Sequence, residues 1–85
     1  MERSDVYKII DTERDYQNKD LLIKDWDHKG SPSVEAELLM MEEYIGKART
    51  AWCNCKNNSE VLDVLRKVAG IAVRCFENHG VPPRK

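Results

Sequence analysis

Residues 31–52 read SPSVEAELLMMEEYIGKARTAW. The apolar positions Val34, Leu38, Met41, Ile45, Ala48 and Trp52 step by 4, 3, 4, 3 and 4, which is one continuous seam of coiled-coil type. Leu39, Tyr44 and Ala51 widen it. Ser31 can cap the start, with Pro32 as the first helical residue, where its fixed φ already suits a helix; Ser33 is the alternative cap. The spacing predicts a helix over about 32–54. Gly46 lies in its interior and costs about 1 kcal/mol against alanine. Either it admits a close neighbour or it is tolerated.

The stretch Cys53 to Ser59 holds Asn54, Asn57 and Asn58, residues that tolerate left-handed turn geometry, so it reads as the connection. Ser59 is placed to cap a third helix over about 60–79, with Glu60 and Asp63 in its first turn. Val61, Leu65, Val68, Ala72 and Cys75 again step by 4, 3, 4 and 3. Leu62, Val64, Ala69, Ile71, Val73 and Phe76 add a second, broader apolar surface. Gly80 stops the helix, Val81 can make the C-terminal contact, and Pro82 and Pro83 prevent continuation before the Arg84–Lys85 tail. A short turn between two such seams predicts an antiparallel hairpin. Its second helix is apolar on more than one side, so it should sit between its partner and something else.

Upstream, Ser4 can cap a helix over about 5–19. Val6, Ile9, Ile10 and Tyr16 form a weak stripe, and Glu13, Arg14, Asp15 and Gln17 follow it, so this helix is expected to pack through its first half. Residues 20–31 carry no period: Leu21, Leu22 and Ile23, then Asp25, Trp26, Asp27, His28, Lys29 and Gly30. Trp26 in this loop reads as folding back over the open end of the core, or as a contact for a partner. The whole is one all-α domain, residues 1–85, a long antiparallel hairpin plus a shorter N-terminal helix.

Composition narrows the function classes. The chain has 85 residues, 34% of them charged, yet its net charge is only −1. Acids and bases are interspersed, which is a solvated helical surface and argues against nucleic acid as a partner. No apolar run approaches the roughly 20 residues a membrane span needs. Met1 is followed by charged residues, not by the apolar core of a signal peptide. Three cysteines, Cys53, Cys55 and Cys75, are an odd number, and reduced thiols in a cytoplasm are the expectation. A chain this short buries only about 60–65% of its unfolded surface, a deficit that small helical domains often make up by oligomerising.

The segments IDTERDYQ (10–17), MEEYIGKA (41–48) and LRKVAGIAVRCFENHG (65–80) resemble small all-helical proteins of phage and prophage genomes. That resemblance covers most of the chain and implies a phage-like origin without a settled activity. A fainter one runs to the all-α nucleoside triphosphate pyrophosphohydrolases, which carry EExxE on one helix and ExxD on the next and hold magnesium with these carboxylates. Here Glu42 and Glu43 are followed by Gly46 where a third Glu belongs, while Glu60 and Asp63 match ExxD. Geometry opposes a site within one chain. In a hairpin turning near residue 57, Glu42 and Glu43 lie level with Ala72 and Val73, and Glu60 with Cys55, so the two groups sit roughly 18 Å apart along the axis. Magnesium needs ligands at about 2 Å. A dimer would have to bring the two groups together, and acids at a helix start have an ordinary role in any case.

The same levels oppose a zinc set of Cys53, Cys55, Cys75 and His79, because Cys75 falls opposite Met40 near the far end. Cys75 reads as a small core residue and His79 as a charge suited to a helix C-terminus. Asp25, Asp27 and His28 read as a solvated loop. No nucleophile constellation and no glycine-rich phosphate loop is present. Arg14, Arg66 and Arg74 could hold a phosphate or nucleotide. Arg66 and Arg74 could instead pair with Glu35, Glu42 and Glu43 across the hairpin, and Arg74 is closest in level to the last two.

Two functions are consistent with these residues. The first is a small, phage-like, cytoplasmic, non-enzymatic interaction protein. It would be a homo-oligomer and would bind a host or phage protein through its helical surface, with Arg14, Trp26, Arg66 and Arg74 as contact residues. The alternative is a nucleotide-binding or magnesium-dependent pyrophosphohydrolase-like protein, with Glu42, Glu43, Glu60 and Asp63 meeting between chains.

Overall fold

The computed structural model describes residues 1–19, 32–55 and 58–85, with only the backbone of Cys55. Trp26, Leu21–Ile23, Lys24, Asp25, Asp27, His28, Lys29, Ser31, Asn57 and the Cys55 side chain therefore lie outside the described residues. Three helices follow in order: α1 (Arg3–Lys19), α2 (Val34–Cys55) and α3 (Asn58–His79). The described residues contain no strand. α2 and α3 pack as the hairpin, and α1 packs on α3. Among the described residues α1 and α2 do not pack on each other, so α3 is the shared element, as its excess of apolar residues predicts.

The helix starts differ from the sequence reading by a residue or two. α2 begins after Ser33, whose Oγ accepts from Ala36 N at 3.1 Å and whose carbonyl accepts from Glu37 N at 3.0 Å. Ser33 is thus the cap, and Pro32 precedes the helix instead of opening it. α1 starts at Arg3, with the Glu2 carbonyl accepting from Asp5 N and Val6 N at 3.0 and 3.1 Å. Ser4 sits inside that first turn and is not the cap. Ser59 likewise lies within α3, which begins at Asn58. The C-terminal stop holds: Gly80 has φ +82° and its N–H reaches the Phe76 carbonyl at 2.7 Å, which is the left-handed cap that glycine accommodates without strain. His79 Nε2 donates to the Pro32 carbonyl at 2.8 Å, tying the end of α3 to the entry of α2.

The hairpin seam is rotated from the one the apolar residues mark. Ala48 is buried, and Met41, Tyr44 and Ala51 are half-buried. Glu37 is wholly buried. Val34, Leu38, Ile45 and Trp52 stay exposed. The positions facing α3 are therefore 37, 41, 44, 48 and 51, which keep the seven-residue repeat but substitute Glu37, Tyr44 and Ala51 for Leu38, Ile45 and Trp52. On α3, Ile71 and Cys75 are buried, in keeping with a structural role for that cysteine.

α1 reverses its expected mode of docking. Glu13, Arg14 and Gln17 in its second half are buried, whereas Val6, Ile9 and Tyr16 are exposed. The close approach occurs at Gly70 of α3: a Cβ there would meet Gln17 Nε2 at 2.7 Å and Glu13 Cγ at 2.8 Å. A Cβ at Gly46 would meet nothing within 4 Å, so that glycine is merely tolerated.

These two glycines predict opposite outcomes. Gly46→Ala should raise stability by about 0.5–1 kcal/mol through helix propensity. Gly70→Ala should lower the melting temperature by displacing α1, with the hairpin still helical. Thermal denaturation followed by circular dichroism, with amide exchange to locate the loss, separates the two.

Candidate functional site

The buried polar side chains form two groups. In the hairpin, Arg74 forks Glu37: Nε donates to Oε2 at 2.7 Å and Nη2 to Oε1 at 2.6 Å. Nη2 also approaches Met40 Sδ at 3.4 Å. Both side chains are at most 5% exposed. Such a pair gains from two parallel charge-assisted bonds. It must still offset the cost of removing both charges from water.

The second group docks α1. Arg14 Nε donates to Glu77 Oε2 at 2.6 Å, and its Nη2 donates to Glu77 Oε1 at 3.2 Å and to Asn18 Oδ1 at 3.0 Å. Arg66 Nε donates to Glu13 Oε1 at 3.0 Å, and its Nη2 meets Asp63 Oδ1 at 2.6 Å. Gln17 Nε2 donates to Glu13 Oε2 and to the Lys67 carbonyl, both at 3.3 Å. Among the described residues no buried side-chain nitrogen or oxygen lacks a hydrogen-bond partner. The Arg14 guanidinium, by its hydrogen bond first and its charge second, lowers the pKa of the Glu77 carboxyl. Its bond to Glu13, seconded by Asp63, raises the pKa of Arg66.

The sequence-predicted site residues are thus distributed as follows. Arg14, Arg66 and Arg74 all lie in ion pairs with carboxylates. Arg74 pairs with Glu37, not with Glu42 or Glu43, which are exposed on α2. Arg66 reaches α1 instead of crossing the hairpin. Asp63 is engaged by Arg66 and, at 3.9 Å, by Lys67. Cys53 is exposed, while Cys75 is buried with Arg74 beside it in sequence. Among the described residues no three His, Cys, Asp or Glu side chains converge as a metal site would need. No described helix is long and apolar enough to cross a membrane.

The sequence reading anticipated surplus apolar surface on α3; what it passed over is that α2 residues it assigned to the seam lie exposed as an apolar face on one side of the hairpin. Val34, Leu38, Ile45 and Trp52 on α2 and Leu62, Leu65 and Phe76 on α3 are between 42% and 62% exposed. In an antiparallel pair, positions displaced in the same rotational sense from the two packing seams fall on the same side. These two rows are so displaced, and Ala69 and Ala72 continue the α3 row. No charged residue interrupts either row. At the α1 edge the face runs into a groove of about 510 Å³ between Val6, Ile9 and Ile10 and the α3 residues Leu62, Leu65 and Ala69. Comparison with family models, with curated proteins and with solved structures finds no match.

The buried Arg74–Glu37 fork and the partly exposed Arg14–Glu77 pair each make a prediction. Glu37→Ala strands the Arg74 charge and should cost about 3–5 kcal/mol, whereas replacing both residues by apolar ones of similar volume should recover most of the loss; urea denaturation of the single and double variants measures it. For Glu77 the folded pKa lies below the ordinary value of 4.5. Its contribution is therefore complete above that value and is lost as pH falls through the folded pKa, because the unfolded chain binds the proton first. Amide protection in the second half of α1 should fall in that acidic window, and in Glu77→Gln it should already be low at neutral pH.

Proposed function

We propose that this chain is a non-enzymatic interaction protein that works by presenting the apolar hairpin face to another protein chain. The supporting observation is the face itself: seven large apolar side chains on two adjoining helices, uninterrupted by charge and roughly half exposed. Isolated exposed apolar residues are ordinary, but a contiguous patch rimmed by polar residues marks an interaction site. The arginines proposed for a phosphate are instead committed to carboxylates, with Arg74 and Glu37 deep in the hairpin. The phage-like resemblance of residues 10–17, 41–48 and 65–80 makes a host or phage protein in the host cytoplasm the fitting partner class.

Ile45 lies at the middle of the face and is 43% exposed, so Ile45→Glu should leave helicity and melting temperature nearly unchanged. The wild-type chain should associate, with itself or with a protein recovered from host lysate and then reconstituted from purified components; the variant should not. A wild-type chain that stays monomeric and reconstitutes no complex would overturn the reading. So would a melting temperature raised several degrees by a nucleotide with magnesium and lowered again by Glu43→Gln.

A further inference from the structure

Resting on that reading, the occupant of the hairpin face can be named. We propose that it is a second copy of this chain, packed face to face about a twofold axis at mid-hairpin to give a four-helix bundle flanked by two α1 helices.

Symmetry of the rows comes first. A twofold interface requires a surface complementary to itself. Run antiparallel against its own copy about Glu42, the α2 row sets Val34 against Trp52 and Leu38 against Ile45, each within two residues of level. About Ala69 the α3 row sets Leu62 against Phe76, Ala69 against itself, and Leu65 within one residue of Ala72. The two centres coincide. The Glu37–Arg74 and Pro32–His79 bonds and the matched ends of the two helices place Glu42 level with α3 to within about two residues, 3 Å, of Ala69. One axis therefore serves both rows. An interface to an unrelated protein has no need of this coincidence.

Charge gives the second argument. Glu35, Glu42 and Arg49 recur every seven residues along the outer rim of the α2 row. All three are exposed and none makes an ion pair with a described residue. The same antiparallel pairing puts Glu35 of each copy beside Arg49 of the other, so two opposite-charge pairs form, while Glu42 meets Glu42 across the axis. Flanking pairs of this kind set partner and orientation in helical bundles.

In this pairing Glu60 of one copy stays about 13 Å along the axis from Glu42 of the other, so the dimer does not assemble the carboxylate set.

Sedimentation velocity of the full chain over a concentration series tests the proposal. The wild type should be a dimer, and Leu38→Glu with Phe76→Glu a helical monomer. Arg49→Glu and Glu35→Arg should each weaken the dimer about tenfold, through two symmetric pairs, and the combined reversal should restore it. Glu42→Gln should tighten it. A wild-type monomer at every concentration would overturn the proposal. If Ile45→Glu then still abolished a reconstituted complex with another protein, the wider reading would survive; if not, both would fall. A dimer indifferent to the two charge reversals would overturn the twofold pairing.

Discussion

The buried fork between Arg74 and Glu37 sets the rotation of α2 on α3. An arginine–glutamate pair with both side chains at most 5% exposed leaves little freedom, because neither charge can turn away without being left unpaired in a water-poor interior. With Glu37 fixed inward, the positions facing α3 become Glu37, Met41, Tyr44, Ala48 and Ala51. Leu38, Ile45 and Trp52, each one residue further round, are carried to the outside. The exposed apolar face is thus a geometric consequence of a polar contact.

The docking of α1 follows the same logic with different parts. Its buried side chains are polar and find partners on α3 in Glu77, Arg66 and the Lys67 carbonyl. This arrangement needs the helices close, and Gly70 supplies the clearance. Little apolar area is enclosed, since Val6 and Ile9 border an open groove. The bonds that hold α1 are charge-assisted and partly exposed at Glu77 and Arg66, which ties this helix to pH and salt more closely than the hairpin.

Together the two polar contacts explain how a chain with abundant apolar residues has so small a hydrophobic core. Only Ala48, Ile71 and Cys75 are buried apolar residues among those described. Large side chains line the outer face instead. A bundle formed from two such hairpins would enclose them between its two layers. It would supply the enclosed volume that a single three-helix unit of this length lacks.

The sequence by itself determined the helices, the hairpin and the central place of α3. Heptad spacing and Gly80 are local signals that require no knowledge of neighbours; the asparagines marked the connection too broadly, since Asn54 lies in α2 and Asn58 in α3. It also showed that Glu42 and Glu43 are too distant from Glu60 and Asp63 to share an ion within one chain, since rise per residue is nearly constant. The rotation of α2, the partner of Arg74 and the polar docking of α1 were decided by the tertiary structure. A seam read from apolar residues alone omits Glu37, because a carboxylate belongs inside a fold only when an arginine is brought to it. That arginine is distant in sequence, and its arrival depends on the packing of both helices.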